Sequence, residues 1–245
     1  ELLPINGKPG IEYILDECIE AGIKEVIFII SQKKLMIKKY FYNDKFYKDI
    51  IKRKKDPRIL TEYKKILMYK KMIKFVFQEK PLGTGDAVLK TKKLIKDKYF
   101  LMLLPDDLII KQNCSKSMIA VHKKYKASVM ASMKVKKNEV TRWGIYNVKK
   151  KVDKNNFIIQ SVIEKPSIKE APSNNAVIGR YILPKTIFNK LSTLKPSKGG
   201  EIHITDAIQS LIDDKIKFIG HNFYGKYLDC GTMKGYINST LEISK

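Results

Sequence analysis

The chain has 245 residues, of which 44% are hydrophobic, and a formal net charge of +24. That suits one α/β core; no run approaches the roughly 18 uncharged apolar residues of a membrane helix, no secretory signal is visible, and Cys18, Cys114 and Cys230 are too scattered for a zinc site, which fits a reduced, cytoplasmic protein. The charge invites a nucleic-acid partner, but only four of the 49 basic residues are arginines and the lysines are spread along the chain, so they read as solvated faces that still attract anionic small molecules.

Residues 9–22 carry Ile11, Ile14, Leu15, Cys18 and Ile19 at helical spacing, with Pro9 at the start and Gly22 at the stop. The β-branched run 24–31 predicts a strand, and 33–41 a helix. Residues 42–72 are lysine-rich with apolar residues at helical intervals around Pro57, a helical excursion. A strand is predicted at 73–78, a glycine turn entering a helix at 81–95, and a strand at 99–104. This alternation implies a parallel sheet covered on both faces, with ligands at the carboxyl ends of its strands. A helix (115–126) and a strand (127–135) follow. The chain then turns β-rich: "WGIYNVKK" and "NFIIQSVIEKP" form a hairpin around "VDKNN". A strand at 176–184, a helix from Pro184 to Leu194, an amphipathic stretch at 201–214, then Lys217–Asn222 and "KYLDCGT" complete it.

Several strand ends carry chemistry. "LLPDD" places Asp106 and Asp107 where an apolar strand stops; an aspartate there suits Mg²⁺, a hard ion that takes carboxylate, water and phosphate oxygens. The plainer reading is a turn or cap aspartate, and Asp107 suits that role better. In "LGTGDA", Gly83 and Gly85 let backbone approach a ligand, and Gln78 just before can both donate and accept, as reading a nucleobase requires. "VIEKP" sets Glu164, suited to sugar hydroxyls, beside Lys165, suited to phosphate; the alternative is a solvated edge pair. Asp229 in "YLDCGT" is a further strand-end acid that pairs with Asp106 in a two-segment metal site. His203 reads as structural, His122 and His221 are isolated, and no Ser–His–Asp or Cys–His set stands out.

In this order, "ELLPINGKPGIEYILDECIEAGIKEVIFI", "QEKPLGTGDAV", "LLPDD", "RWGIYNV", "VIEKP", "APSNNAVIGRYIL", "GGEIHITDAI" and "LDCGT" closely resemble the bacterial UTP–glucose-1-phosphate uridylyltransferases, from Glu1 to about Ile237. The excursion at 42–72 and "APSNNAVIGRYIL" separate that family from the thymidylyl- and adenylyltransferases sharing its fold. The resemblance implies a Rossmann-like nucleotidyltransferase fold with a mixed, mostly parallel sheet flanked by helices and a small β-rich sugar-binding part. It implies one domain with a nucleotide-binding half at 1–135 and a sugar-binding half at 136–245. The implied reaction makes UDP-glucose and pyrophosphate from UTP and glucose 1-phosphate with Mg²⁺, in a homo-oligomer, dimer or tetramer. Position by position, Gln78 and Gly83 would recognise uracil, Gly144, Glu164 and Gly179 would line the glucose pocket, and Lys165 would meet the sugar phosphate. Asp106 would bind Mg²⁺ and, with Lys165, be catalytic; Asp229 matches a metal-binding aspartate of the sister families.

The family begins with a strand and a glycine-rich loop containing "GLGTR" or similar, then "PKE" before "LLP", whereas this sequence starts at that Glu. The absent stretch carries phosphate-binding backbone, an Arg, a Lys and a central strand. Three alternatives stay open: another sugar-1-phosphate nucleotidyltransferase using dTTP or ATP, a non-catalytic remnant, and a basic polyanion-binding protein. Residues 1–245 alone are expected to leave an open strand edge and to turn over far below a normal rate; a pyrophosphate-release assay showing full turnover contradicts this.

Overall fold

The structure, a computed structural model, describes residues 1–197 and 199–245. A two-strand hairpin opens it, β1 (Pro4–Ile5) and β2 (Lys8–Pro9), turned by Asn6 and Gly7 at φ 47° and 78°, the positive-φ pair such turns demand. It feeds α1 (Gly10–Glu20), which buries Ile11, Ile14, Leu15 and Cys18. Strand β3 (Val26–Ile30) and α2 (Leu35–Tyr42) follow. The excursion is two helices, α3 (Lys45–Lys54) and α4 (Pro57–Met72). Lys55, at φ 46°, ends the first, and Asp56 caps the second by accepting the Arg58 N–H at 2.8 Å. Next come β4 (Ile73–Phe77), α5 (Thr84–Leu89), β5 (Tyr99–Leu103), β6 (Asp107–Ile110), α6 (Cys114–Tyr125) and β7 (Ser128–Lys134). The second half holds β8 (Gly144–Lys151), β9 (Asn156–Glu164), β10 (Asn175–Pro184), α7 (Ile187–Thr193), α8 (Ile204–Asp213), β11 (Phe218–Asn222), β12 (Lys226–Asp229) and α9 (Met233–Ile243).

Six strands make one mixed sheet in the order β5-β10-β7-β11-β9-β8. Helices flank a mixed sheet as expected, but the sheet is not mostly parallel. Among its hydrogen-bonded strand pairs in the described residues, β11–β7 alone is parallel. The physical reason is β10. Strands β5 and β7 point the same way, as a strand–helix–strand crossover requires, yet β10 is inserted between them and runs against both. The hairpin β8–β9 adds a further antiparallel pair. Apart from this sheet, β3 pairs β4 in parallel and β12 pairs β6 antiparallel, with Asp229 opposite Asp107.

Other expectations shift. The helix predicted over 81–95 shortens to α5. Gly83, at φ 93°, keeps the residues before it out of the helix, and the Thr91 hydroxyl donates to the Val88 carbonyl at 2.7 Å just past its end. The stretch at 201–214 becomes helical only from Ile204. The sequence reading did not find β1–β2, β6 or α9. The main core lies between the six-stranded sheet and α7–α8, around Tyr146, Tyr181, Phe188 and Phe218, and a second core joins α1, α2 and α4 to β3–β4. Among the described residues no helix is long and apolar enough to cross a membrane.

His221 on β11 is buried, with Nδ1 2.8 Å from Asn156 Oδ1 and Nε2 3.1 Å from Ser117 Oγ. Burial holds its pKa below the ordinary 6.5, with the Asp153 charge opposing. The ring therefore stays neutral in the fold where the unfolded chain already takes up a proton. Stability is full above 6.5 and falls as pH drops from there toward the lowered folded value. The expected Tm loss is at most about 5 °C per pH unit at this chain length. Calorimetry should find the loss between pH 7 and 5 smaller in His221→Gln than in the native protein.

Candidate active site

Strand β5 ends at Leu103, Pro105 stops the ladder, and the chain reverses into β6 at Asp107. The two acids of this turn face different ways. The Asp106 carboxylate is exposed and receives no hydrogen bond from the described residues. Asp107 turns inward, where its Oδ2 accepts the Gly179 N–H at 2.8 Å and its Oδ1 accepts the Tyr227 hydroxyl at 2.6 Å. Burial raises the Asp107 pKa against those two hydrogen bonds, and burial beside the Asp107 charge pushes the Tyr227 hydroxyl up.

Asp229 ends β12 across from this turn. Its Oδ1 accepts the Gly231 N–H at 2.9 Å, and the Cys230 N–H donates to the Asp106 carbonyl at 2.8 Å. A Cβ at Gly231 would lie 2.9 Å from Asp106 Oδ2 and 3.3 Å from Asp229 Oδ1. Both acids thus border one small space that glycine keeps open. Among the described residues no third His, Cys, Asp or Glu joins them. Two carboxylates with free oxygens fit Mg²⁺, which takes one or two and completes its shell with phosphate and water oxygens.

The turn is held from beneath by Arg180, which has no exposed surface. Its Nη2 donates to Glu17 Oε2 at 2.8 Å and to the Asp107 carbonyl at 2.6 Å; its Nη1 donates to the Leu104 and Gly179 carbonyls at 3.1 and 3.2 Å. Glu17 Oε1 also accepts the Ser115 N–H and hydroxyl, at 3.0 and 2.5 Å. Burial alone would lower the guanidinium pKa, but the Glu17 charge and hydrogen bonds hold it above its usual value. Arg180 reaches these groups because β10 shifts register against β7 between Val177 and Tyr181. The same shift presses Gly179 onto the turn, where a Cβ would meet Asp107 Oδ2 at 2.5 Å and Leu104 Cβ at 2.6 Å. Close packing against the acids is what the structure shows for Gly179.

Gly144 lies opposite Glu164 in the β8–β9 ladder, and a Cβ there would stand 3.0 Å from Glu164 Oε2. Lys165 leaves the ladder at φ 45°, its N–H donating to the Trp143 carbonyl at 3.0 Å and its side chain exposed. It therefore does not alternate with Glu164 as a continuing strand would. Gln78 and Gly83 come together past β4, with Gln78 Nε2 3.2 Å from the Gly83 carbonyl oxygen and 2.8 Å from Asp86 Oδ2. His203 is half-buried, with its Nε2 3.4 Å from Ser197 Oγ. A cavity of about 590 Å³ lies between the β1–β2 hairpin and the excursion, where Glu12, Lys65 and Tyr40 already engage one another or Asp16. Sequence reading missed Glu17, Asp86, Arg180, Tyr227 and Gly231. The one signal available was an arginine inside the apolar run "AVIGRYILP".

A nucleotidyl transferase family profile matches residues 1–245. The chain belongs to that family. The UTP–glucose-1-phosphate uridylyltransferase of Pseudomonas aeruginosa (strain PAO1) is 31% identical over 243 residues, 98% of this chain and 86% of that protein. That of Bacillus subtilis (strain 168) is 32% identical over 245 residues, 100% of this chain and 83% of the relative. A crystal structure of UDP-glucose pyrophosphorylase complexed with UDP-glucose superposes with a TM-score of 0.86 at 33% identity, covering 100% of this chain and 89% of that one. UTP-bound UGPase from Acinetobacter baumannii gives 0.88 at 31% identity, covering 99% and 85%. The resemblance read from the motifs is borne out.

In this nucleotidyl transferase, removing Arg180 takes the ion-pair partner away from buried Glu17. Arg180→Met should cost about 3–5 kcal/mol in guanidinium denaturation. The Glu17→Met, Arg180→Met double variant should lie closer to the native protein than that single variant does.

Proposed function

We propose that this nucleotidyl transferase moves uridylyl from UTP to glucose 1-phosphate, giving UDP-glucose and pyrophosphate. One observation carries the reading: Asp106 and Asp229 converge at Gly231, at the carboxyl end of β5, in a chain whose relatives carry that name. The sugar-phosphate oxygen attacks the α-phosphorus of UTP in line, and pyrophosphate leaves on the far side. Such transfers need alignment and charge neutralisation rather than a covalent intermediate, which suits a site without a paired nucleophile and base.

Gln78 and Gly83 hold uracil. Glu164, folded over Gly144, accepts sugar hydroxyls, and the Lys165 ammonium meets the sugar phosphate. Gly179 closes the sugar side by backing the acid turn. Asp106, with Asp229, would hold Mg²⁺, which neutralises phosphate charge when bound. Residues 1–135 and 136–245 act as nucleotide and sugar halves of one domain. A cytoplasmic location draws support from the three free cysteines, and a homo-oligomer, dimer or tetramer, from the family resemblance alone.

The test is pyrophosphate release from glucose 1-phosphate with UTP, dTTP or ATP, using the polypeptide as its gene encodes it. UTP with Mg²⁺ should be preferred. Asp106→Ala should lose about 100-fold or more in kcat with Tm unchanged, since its carboxylate is exposed and unpartnered. A brisk Asp106→Ala enzyme, or full activity without a divalent ion, refutes the reading.

A further inference from the structure

The Gln78 amide is not free to choose its orientation. Its nitrogen faces Asp86 Oδ2 at 2.8 Å and the Gly83 carbonyl oxygen at 3.2 Å. A carboxylate and a carbonyl only accept, so nitrogen rather than oxygen must face them, and both amide hydrogens are committed. Oε1 remains. It receives no hydrogen bond from the described residues, and Gln78 is only half-buried.

Asp86 is itself well held. It is 6% exposed, sits in the first turn of α5, and has its Oδ1 3.4 Å from Lys90 Nζ. The turn bearing it is pinned to the segment before α8. The Ile202 N–H donates to the Leu82 carbonyl at 2.8 Å, and the Gly85 N–H donates to the Ile202 carbonyl at 2.8 Å. The fit is tight, because a Cβ on Gly83 would lie 2.6 Å from the Ile202 oxygen.

We propose that Asp86 is a positioning residue for base specificity: it locks the Gln78 amide so that only an acceptor faces the nucleotide, which selects uracil over cytosine. The inference rests on the uridylyl-transfer reading above. Uracil in a nucleotide has a single N–H, at N3, so an acceptor-only Gln78 must meet that group. Cytosine carries a lone pair at N3, and its donor on that edge, the N4 amino group, stands where uracil has the O4 carbonyl, so an acceptor placed for N3–H meets a lone pair instead. Two acceptors facing each other leave both unpaired, and sites built on a specific hydrogen bond reject such analogues strongly. Released from Asp86, the amide is held only by the Gly83 carbonyl at 3.2 Å, so the half-turn that offers N–H instead becomes accessible. The lock does not separate uracil from thymine, which shares the N3–H.

Asp86→Asn keeps size and shape but supplies a side chain that both donates and accepts, so the 2.8 Å contact no longer dictates the orientation and only the longer one to the Gly83 carbonyl, at 3.2 Å, still favours it. Calorimetric titration with UTP, CTP and dTTP reads the result, alongside KM for glucose 1-phosphate. The UTP-to-CTP affinity ratio should fall about tenfold or more, with weaker UTP and stronger CTP binding. The UTP-to-dTTP ratio and the sugar-phosphate KM should hold. A purely structural role for Asp86 weakens both pyrimidine nucleotides alike and leaves the UTP-to-CTP ratio unchanged, which overturns the proposal. Should Asp86→Asn fail to fold, native protein titrated with N3-methyl-UTP decides. About 100-fold weaker binding than UTP is expected, and equal binding overturns the proposal. Native protein that forms UDP-glucose while Asp86→Asn keeps its UTP preference defeats only the lock; native protein that binds no UTP defeats the underlying reading as well.

Discussion

The buried pair of Arg180 and Glu17 is the constraint from which the rest of the site follows. A guanidinium with no exposed surface is tolerable only if its charge and its donors are answered. Glu17 comes from α1, the carbonyls of Leu104 and Asp107 from the acid turn, and Ser115 from the start of α6 to complete Glu17. Each lies on a different element, so satisfying one arginine fixes where those elements meet. The cost of leaving any of them out is a buried charge or an orphaned donor. Apolar packing brings α1 and α6 to the sheet; this polar node sets the position of the loop on which Asp106 stands.

The node also explains why two aspartates stand in tandem. Their backbones are adjacent but their surroundings differ. Asp107 spends both oxygens on the fold, tying β6 to Gly179 of β10 and to Tyr227 of β12. Asp106 spends none, and its carboxylate opens onto the space beside Gly231. One acid acts as a strut and its neighbour is left unengaged by the described residues. Anchoring Asp107 also immobilises the residue before it, so the direction of the Asp106 carboxylate is set by the fold.

Much of this was legible in the sequence wherever the signal was local. The apolar runs of β3, β4, β5, β7 and β10, the helical spacing of α1 and the excursion, and the turn inside "VDKNN" specify their elements without reference to the rest of the chain. The strand-end groups Gln78, Gly83, Asp106, Glu164 and Asp229 were readable for the same reason, since an acid or amide terminating an apolar run is a local event. What escaped was long-range. Strand β6 is four residues long and pairs with β12, far along the chain. The insertion of β10 between β5 and β7 leaves no mark on either neighbour. Arg180 and Asp86 read as an odd charge in a strand and a helix-start acid until their partners are in place. Helix α9 was obscured because its apolar ridge of Met233, Ile237 and Leu241 points outward while Ser239 is buried, the reverse of the pattern that announces a core-facing helix.

That unseen helix turns out to place one of the two acids. The Ser239 hydroxyl donates to the Asp229 carbonyl at 3.2 Å, and Gly235 packs so close that a Cβ would lie 2.3 Å from the same oxygen. Thr232 caps α9 by accepting the Gly235 N–H at 3.1 Å, which sets the direction in which the helix leaves β12. At its other side the Tyr236 hydroxyl donates to the Pro4 carbonyl at 2.5 Å, and Ile5 joins Leu108 and Leu228 in one small core. The N-terminal hairpin thus supports the chain's last helix, and that helix fixes Asp229. Asp106 is held through Arg180 from one side and Asp229 through α9 from the other. Two supports that meet at Gly231, joined by the β6–β12 pairing and by the Cys230 N–H on the Asp106 carbonyl, make the separation of the carboxylates a property of the whole fold rather than of either loop. A disturbance at the hairpin therefore reaches Asp229 through α9 and the acid turn through the core that Ile5 shares with Leu108.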